Sequence, residues 1–183
     1  MPSQWPQKKY VAALKYAAAA HSGQKVPGSD LPYVVHVVMV AMEVIAAVQA
    51  EDGLDADLAV QCALLHDVIE DAGRSYEDLE KAFGKNVADG VLALTKSNMI
   101  KSKPEKMADS LTRVKEQPRE IGMVKLADRI VNLQPPPSYW SAEKRSKYRE
   151  EATQIHEALK ASSSFLADRL LKKISEYQAY VKA

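Results

Sequence analysis

Apolar positions recur at helical spacing along almost the whole chain. Tyr10, Leu14, Ala17 and His21 fall on one face of a first helix, which Gly23 ends. Pro32 opens a second segment, rich in Val and Ala, that reaches about Gln49. Its β-branched content suits a strand, but about eighteen residues without a turn is too long for one, so a helix is predicted. A third helix is predicted from about Asp55 to Asp71, with Gly73 as its stop. Ser75 with Asp78 reads as a capping box for a short fourth helix closed by Gly84, and Val87, Val91 and Leu94 line one side of a fifth. Residues 96–106 carry four lysines and one acid with little apolar period, and read as a loop. Ser102 and Glu105 form a second capping box ahead of Met107, Leu111 and Val114. After Pro118, "EIGMVKLADRIVNL" gives another helix, stopped by the prolines at 135–137. A longer helix covers about Ser141 to Leu159, and the last repeats apolar residues at Leu166, Leu170, Ile174, Tyr177 and Val181. There is no internal repeat and no strand pattern. The expected fold is a compact all-α multi-helix bundle, with residues 1–183 as one domain.

Composition narrows the class. Lys and Arg number 25 against 24 acids, so the overall charge argues for neither nucleic acid nor a membrane surface. No window approaches the ~18 uncharged apolar residues of a spanning helix, and "MPSQWPQKKY" has no signal-peptide core. The lone Cys62 cannot form an internal disulfide and fits a reducing cytosol. A soluble cytoplasmic protein is expected.

The chemistry concentrates in "CALLHDVIEDAG", residues 62–73, where an apolar helix runs into His66-Asp67 and then Glu70-Asp71. On a helix the second pair sits one turn beyond the first, giving an imidazole and a carboxylate below two further carboxylates. Imidazole with carboxylates suits a divalent first-row ion with positions open to water, and nearby free carboxylates can orient that water or take its proton. The dipeptide alone is more often a surface ion pair. What favours a metal is the crowding of four ionisable groups at the end of an apolar helix, where unpaired charge is costly. Two ligands are too few, and "PYVVHVVMVAMEV" and "VKLADRIVNL" each embed one more candidate, His36 and Asp128, in apolar sequence. Separately, His36 fits a hydrogen-bonded core residue, and Asp128 an ion pair with Lys125 or Arg129. Together His36, His66, Asp67 and Asp128 make a His2Asp2 set drawn from three helices.

The segments "AHSGQ…LPYVVH", "LLHDVIEDAG" and "VKLADRIVNL", in this order, resemble the HD-domain alarmone hydrolases, the hydrolase half of Rel/SpoT enzymes. At this length the chain is most similar to the stand-alone small alarmone hydrolases. The likeness runs from about Tyr10 to Tyr148. It implies an HD-type helical bundle in which His36, His66, Asp67 and Asp128 hold one Mn²⁺, while Glu70 and Asp71 position and activate water. The implied reaction removes pyrophosphate from the 3′ position of guanosine tetra- or pentaphosphate, leaving GDP or GTP. Lys25, Lys103, Lys106, Arg113 and Lys144 are candidates for the phosphates of such a polyanion. Asn132 matches the family's sugar- and phosphate-contacting asparagine. Tyr148 matches an aromatic over the nucleotide, although core packing suits it equally. His21 is read as structural and His156 as a surface residue.

Three departures bear on the substrate. After Gln24 the chain reads "KVPGSDLPY", where the family places an Arg-Lys pair against the base, so only Lys25 remains. Val37 follows His36 where a proline is common, and Lys144 stands for an arginine, losing its planar fork. The metal and water residues are complete while the specificity residues differ. That pattern leaves open an adenosine 3′-diphosphate or the 2′-phosphate of NADPH, and also a metal-bearing nucleotide sensor or a scaffold without turnover. A small nucleotide is the expected partner, with no nucleic acid or membrane, and nothing resembles a synthetase domain.

Overall fold

Where each helix begins and ends is set by local chemistry. The computed structural model describes residues 6–182, so the expectation about the N-terminal stretch falls partly, at residues 1–5, outside them. Among the described residues there are nine α-helices: α1 Gln7–Ala20, α2 Val34–Ala50, α3 Ala56–Leu65, α4 Tyr76–Phe83, α5 Lys85–Leu94, α6 Lys103–Lys115, α7 Arg119–Asn132, α8 Ala142–Leu159 and α9 Ser164–Lys182. The second segment is a helix, as its length requires. The only extended pairing among the described residues is one isolated bridge between Lys25 and Pro32. The Ser75–Asp78 capping box is complete, each side chain bonding the other's backbone N–H. Ser102 caps α6 through the Glu105 N–H, and Ser141 caps α8 through the Lys144 N–H. No helix among the described residues is long and apolar enough to cross a membrane.

Two helices form the axis. Leu58 through Leu65 of α3 are buried without a break, as expected of a helix apolar on all sides. Nearly all of α7 is buried as well. Around them, α2 buries His36, Val37, Val40, Ala41, Val44 and Ala47 at helical spacing. The three helices α2, α3 and α7 pack against one another pairwise, while α8 and α9 pair and cover α7. Glu51, just past α2, accepts bonds at one carboxylate oxygen from the Ser163 and Ser164 hydroxyls and the Phe165 N–H, fastening α2 to the start of α9.

Four expectations need correcting. The third helix ends at Leu65, and residues 66–72 form successive turns instead of continuing to Asp71. The Asp71 N–H still bonds the Asp67 carbonyl at 2.8 Å, so Asp71 stays one turn above Asp67. Gly73, at φ 64°, takes the left-handed conformation that bends the chain back, and the Arg74 N–H reaches the Val68 carbonyl. Second, the lysine-rich stretch is a loop only up to Ser102. Lys103 and Lys106 lie in the first turn of α6, where Pro104 suits the helix start. Third, His156 is buried in α8, not on the surface.

The fourth concerns Arg113. Its guanidinium donates to the carbonyls of Leu92, Ala93 and Thr95 and to Asp109 on its own helix. These bonds satisfy the carbonyls at the end of α5 and occupy the fork, so Arg113 is an anchor between α5 and α6 with nothing left for a phosphate. Arg113→Ala is expected to lose about 1–2 kcal/mol of stability, read as a fall of about 2–8 °C in thermal unfolding for a chain of this length.

Candidate metal and nucleotide site

The four ligands predicted from sequence meet where α2, α3 and α7 touch. His36 lies in the first turn of α2, His66 caps the end of α3 with Asp67 beside it, and Asp128 lies one turn before the end of α7. The His66 Nε2 stands 2.8 Å from Asp67 Oδ2 and 3.7 Å from Asp128 Oδ1, and the His36 Nε2 stands 3.6 and 3.4 Å from the same two oxygens. These approaches lack hydrogen-bond geometry, so both Nε2 atoms are buried without a hydrogen-bond partner. Orphaned acceptors of this kind are costly unless something else fills the centre. Donors about 2.1 Å from a common ion lie about 3 Å apart when mutually perpendicular, close to the spacing found here. The residues fit a divalent cation.

The surrounding bonds prepare the set for that role. The Nδ1 of His66 lies 2.9 Å from the Ala63 carbonyl, which fixes the proton on Nδ1 and leaves Nε2 as a lone-pair donor. Asp67 Oδ2 accepts the Tyr33 hydroxyl at 2.6 Å, and Asp128 Oδ1 accepts the Asn132 amide at 2.5 Å. The buried Lys125 ammonium lies 3.9 Å from Asp128 Oδ2, while Arg129 turns to Glu151 and lies over the Tyr148 ring. Burial opposes charge on both imidazoles, but the Asp128 and Asp67 carboxylates overcome it and raise their affinity for protons. Against the same burial, His66 and His36 hold Asp67 ionised, and the two histidines do the same for Asp128. A cation entering the centre would take over the role of those protons.

Glu70 and Asp71 flank this centre in unlike settings. Asp71 shares the Tyr33 hydroxyl at 3.4 Å, and burial with the nearby Asp67 and Glu70 raises its pKa. Glu70 is held by Lys96: the backbone N–H bonds Oε2 and the ammonium bonds Oε1, both at 2.9 Å.

Two clefts open beside the centre and share Trp140 and Tyr148. One, of about 730 Å³, is walled by Lys96, Lys103, Lys106, Lys144 and Lys147. The other, of about 360 Å³, is mostly apolar and includes His36, Asn132, the 26–31 turn and Pro135–Pro137. Gly28 (φ 76°) lies so close to Pro137 that a Cβ there would come within 3.0 Å of the ring, so the two walls meet at a glycine. Of the sequence candidates, Lys103, Lys106, Lys144 and Tyr148 line the first cleft, and Asn132 and Tyr148 the second. The Lys144 ammonium lies over the Trp140 ring at 4.1 Å. Lys25 borders neither cleft and its ammonium pairs with Asp30 at 2.6 Å. His21, read as structural, stacks against Tyr33 and bonds Gln24. The residues not singled out from sequence are Tyr33, Lys96, Trp140 and Lys147. Two of these had a local signal: Tyr33 stands three residues before His36, and Lys96 opens the lysine-rich stretch 96–106.

Residues 13–163 match the HD domain family. The chain is 32% identical over 171 residues to the Drosophila melanogaster guanosine-3′,5′-bis(diphosphate) 3′-pyrophosphohydrolase MESH1, covering 91% of this chain and 93% of that protein. It is 34% identical over 157 residues to the Escherichia coli bifunctional (p)ppGpp synthase/hydrolase SpoT, of which it spans 21%. The solved structure described as a metazoan ortholog of SpoT that hydrolyses ppGpp superposes with a TM-score of 0.81 at 29% identity, covering 95% of this chain and 98% of that one. With its fold, its family match over residues 13–163 and its near whole-length likeness to the stand-alone hydrolases, the chain belongs to the HD-domain family of guanosine-3′,5′-bis(diphosphate) 3′-pyrophosphohydrolases.

Proposed function

We propose that residues 1–183 act as one hydrolase domain that removes pyrophosphate from the 3′ position of guanosine tetra- or pentaphosphate, with Mn²⁺ as the resident ion. The observation that carries this reading is the pair of orphaned Nε2 atoms facing two carboxylates, with Glu70 and Asp71 alongside and a lysine-walled cleft next to them. A divalent ion held by His36, His66, Asp67 and Asp128 supplies a Lewis acid for the phosphate oxygens and lowers the pKa of water. The protein's own residues do the remainder. The lysines gather the 5′ phosphates, and the apolar cleft takes the nucleoside with Asn132 beside the sugar. Trp140 and Tyr148 form the divide between them. Glu70, with Asp71, orients a water and takes its proton as the oxygen attacks the phosphorus attached to O3′. The P–O3′ bond breaks, O3′ gains a proton, and pyrophosphate and a nucleoside 5′-polyphosphate leave. A reducing, cytoplasmic setting belongs to the same reading, and the free, buried Cys62 suits it.

A second reading concerns the base alone. Lys25 is paired with Asp30, and the wall that meets the nucleoside is built from Val26, Pro27, Leu31 and prolines. That favours shape and stacking over hydrogen bonds to guanine, and keeps an adenosine 3′-diphosphate or the NADPH 2′-phosphate as competing substrates.

Incubated separately with Mn²⁺ and guanosine tetraphosphate, an adenosine 3′-diphosphate or NADPH, the protein should release pyrophosphate fastest from the guanosine compound, whereas any action on the NADPH 2′-phosphate would release orthophosphate. Orthophosphate released from NADPH alone would overturn the alarmone assignment. His66→Ala is expected to lose both stoichiometric metal, measured on the purified protein, and turnover. Glu70→Ala should retain the metal and lose turnover by roughly 10²-fold or more, the usual contribution of a positioned base. A Glu70→Ala protein with full activity would remove Glu70 from the chemistry, leaving Asp71 to serve alone.

A further inference from the structure

The cleft lysines differ in what they touch. Lys147 pairs with Glu143, and Lys144 lies over Trp140. Lys96 instead holds Glu70 by two bonds from one residue, its N–H to Oε2 and its ammonium to Oε1. The backbone bond ties Glu70 to the residue that follows the α5 cap, Thr95, and the ammonium bond ties it to a group that also lines the cleft. An ammonium has three N–H donors. Glu70 uses one, and the half-exposed side chain leaves the others able to face the cleft. Burial works against the charge on Lys96, yet Glu70, Asp128 and Asp67 more than restore it. It therefore remains a cation between the metal centre and the phosphate cleft.

We propose that Lys96 is a positioning residue that bridges Glu70 to a phosphate in the lysine cleft, so that filling the cleft fixes the orientation in which Glu70 meets water. This rests on the hydrolase reading above. A phosphate gripped only for binding lowers KM, whereas one that also aligns the base raises kcat. The 5′ phosphates would then do both, through different lysines: Lys103, Lys106 and Lys144 hold them, and Lys96 passes their position to Glu70.

The test compares guanosine 3′,5′-bis(diphosphate) with guanosine 3′-diphosphate bearing a free 5′ hydroxyl, using the Mn²⁺-loaded full chain. In the unsubstituted protein, kcat for the first should exceed kcat for the second by about tenfold, a modest share of what an aligned base contributes. In Lys96→Met, kcat should fall and the two substrates should differ in kcat by no more than about twofold, while KM still favours the first. Lys96→Arg, which retains a cation with donors to spare, should recover part of the kcat difference. Metal content equal to that of the unsubstituted protein would show the centre itself unchanged. A Lys96→Met protein with altered KM and an intact kcat ratio would overturn the proposal and leave Lys96 as an ordinary phosphate contact. An equal loss of kcat on both substrates with the ratio kept would overturn it too, since Glu70 would then be held independently of the cleft. If the unsubstituted protein releases pyrophosphate from neither compound, the hydrolase reading falls and this coupling with it.

Discussion

Two imidazoles and two carboxylates face each other at the junction of α2, α3 and α7, and none of the four could be buried there alone. Each is tolerated because the others compensate its charge. That requirement reaches outward. The Ala63 carbonyl sets the His66 tautomer, the Tyr33 hydroxyl occupies one Asp67 oxygen, and Asn132 occupies one Asp128 oxygen. It also bears on where regular helix gives way: α3 ends at Leu65, and His66 and Asp67 are presented from the turns that follow. The aliphatic packing of α3 and α7 supplies the rigidity that holds these four side chains in place.

Around this centre the surface divides by polarity. The larger cleft presents ammonium groups from the loop after α5 and from α6 and α8, with Glu143 and Glu151 among them. The smaller presents prolines, valines and a methionine, with the His36 ring at its inner end. A nucleotide has the same division, with anionic phosphates on the sugar and a flat heterocycle projecting from it. Trp140 and Tyr148 stand edge to face where the clefts join, 5.1 Å between ring centroids, so the boundary is aromatic on its inner side.

Much of this was legible in the sequence. The helices follow from apolar period and caps, and three runs of apolar residues are interrupted by His36, by His66-Asp67 and by Asp128, the four side chains that the fold brings together. What escaped depends on three-dimensional pairing. Arg113 has the same composition as a phosphate-binding arginine, and only the proximity of the α5 terminus shows that its donors are used there. Lys25 reads in sequence as a free cation for a phosphate, yet a turn brings Asp30 within reach of it. His156, amid charged residues of α8, is buried through the packing of α8 on its neighbours, which a local window does not contain. The end of α3 at Leu65 was hidden because the apolar period continues through Val68 even after the helical ladder has stopped.

The bond from Arg113 to the Thr95 carbonyl has a further mechanical meaning. Thr95 immediately precedes Lys96, and Arg113 belongs to the same helix as Lys103 and Lys106. One guanidinium thus ties the backbone next to Lys96 to the helix that carries Lys103 and Lys106. The backbone positions from which these three lysines extend are thereby held at a set spacing.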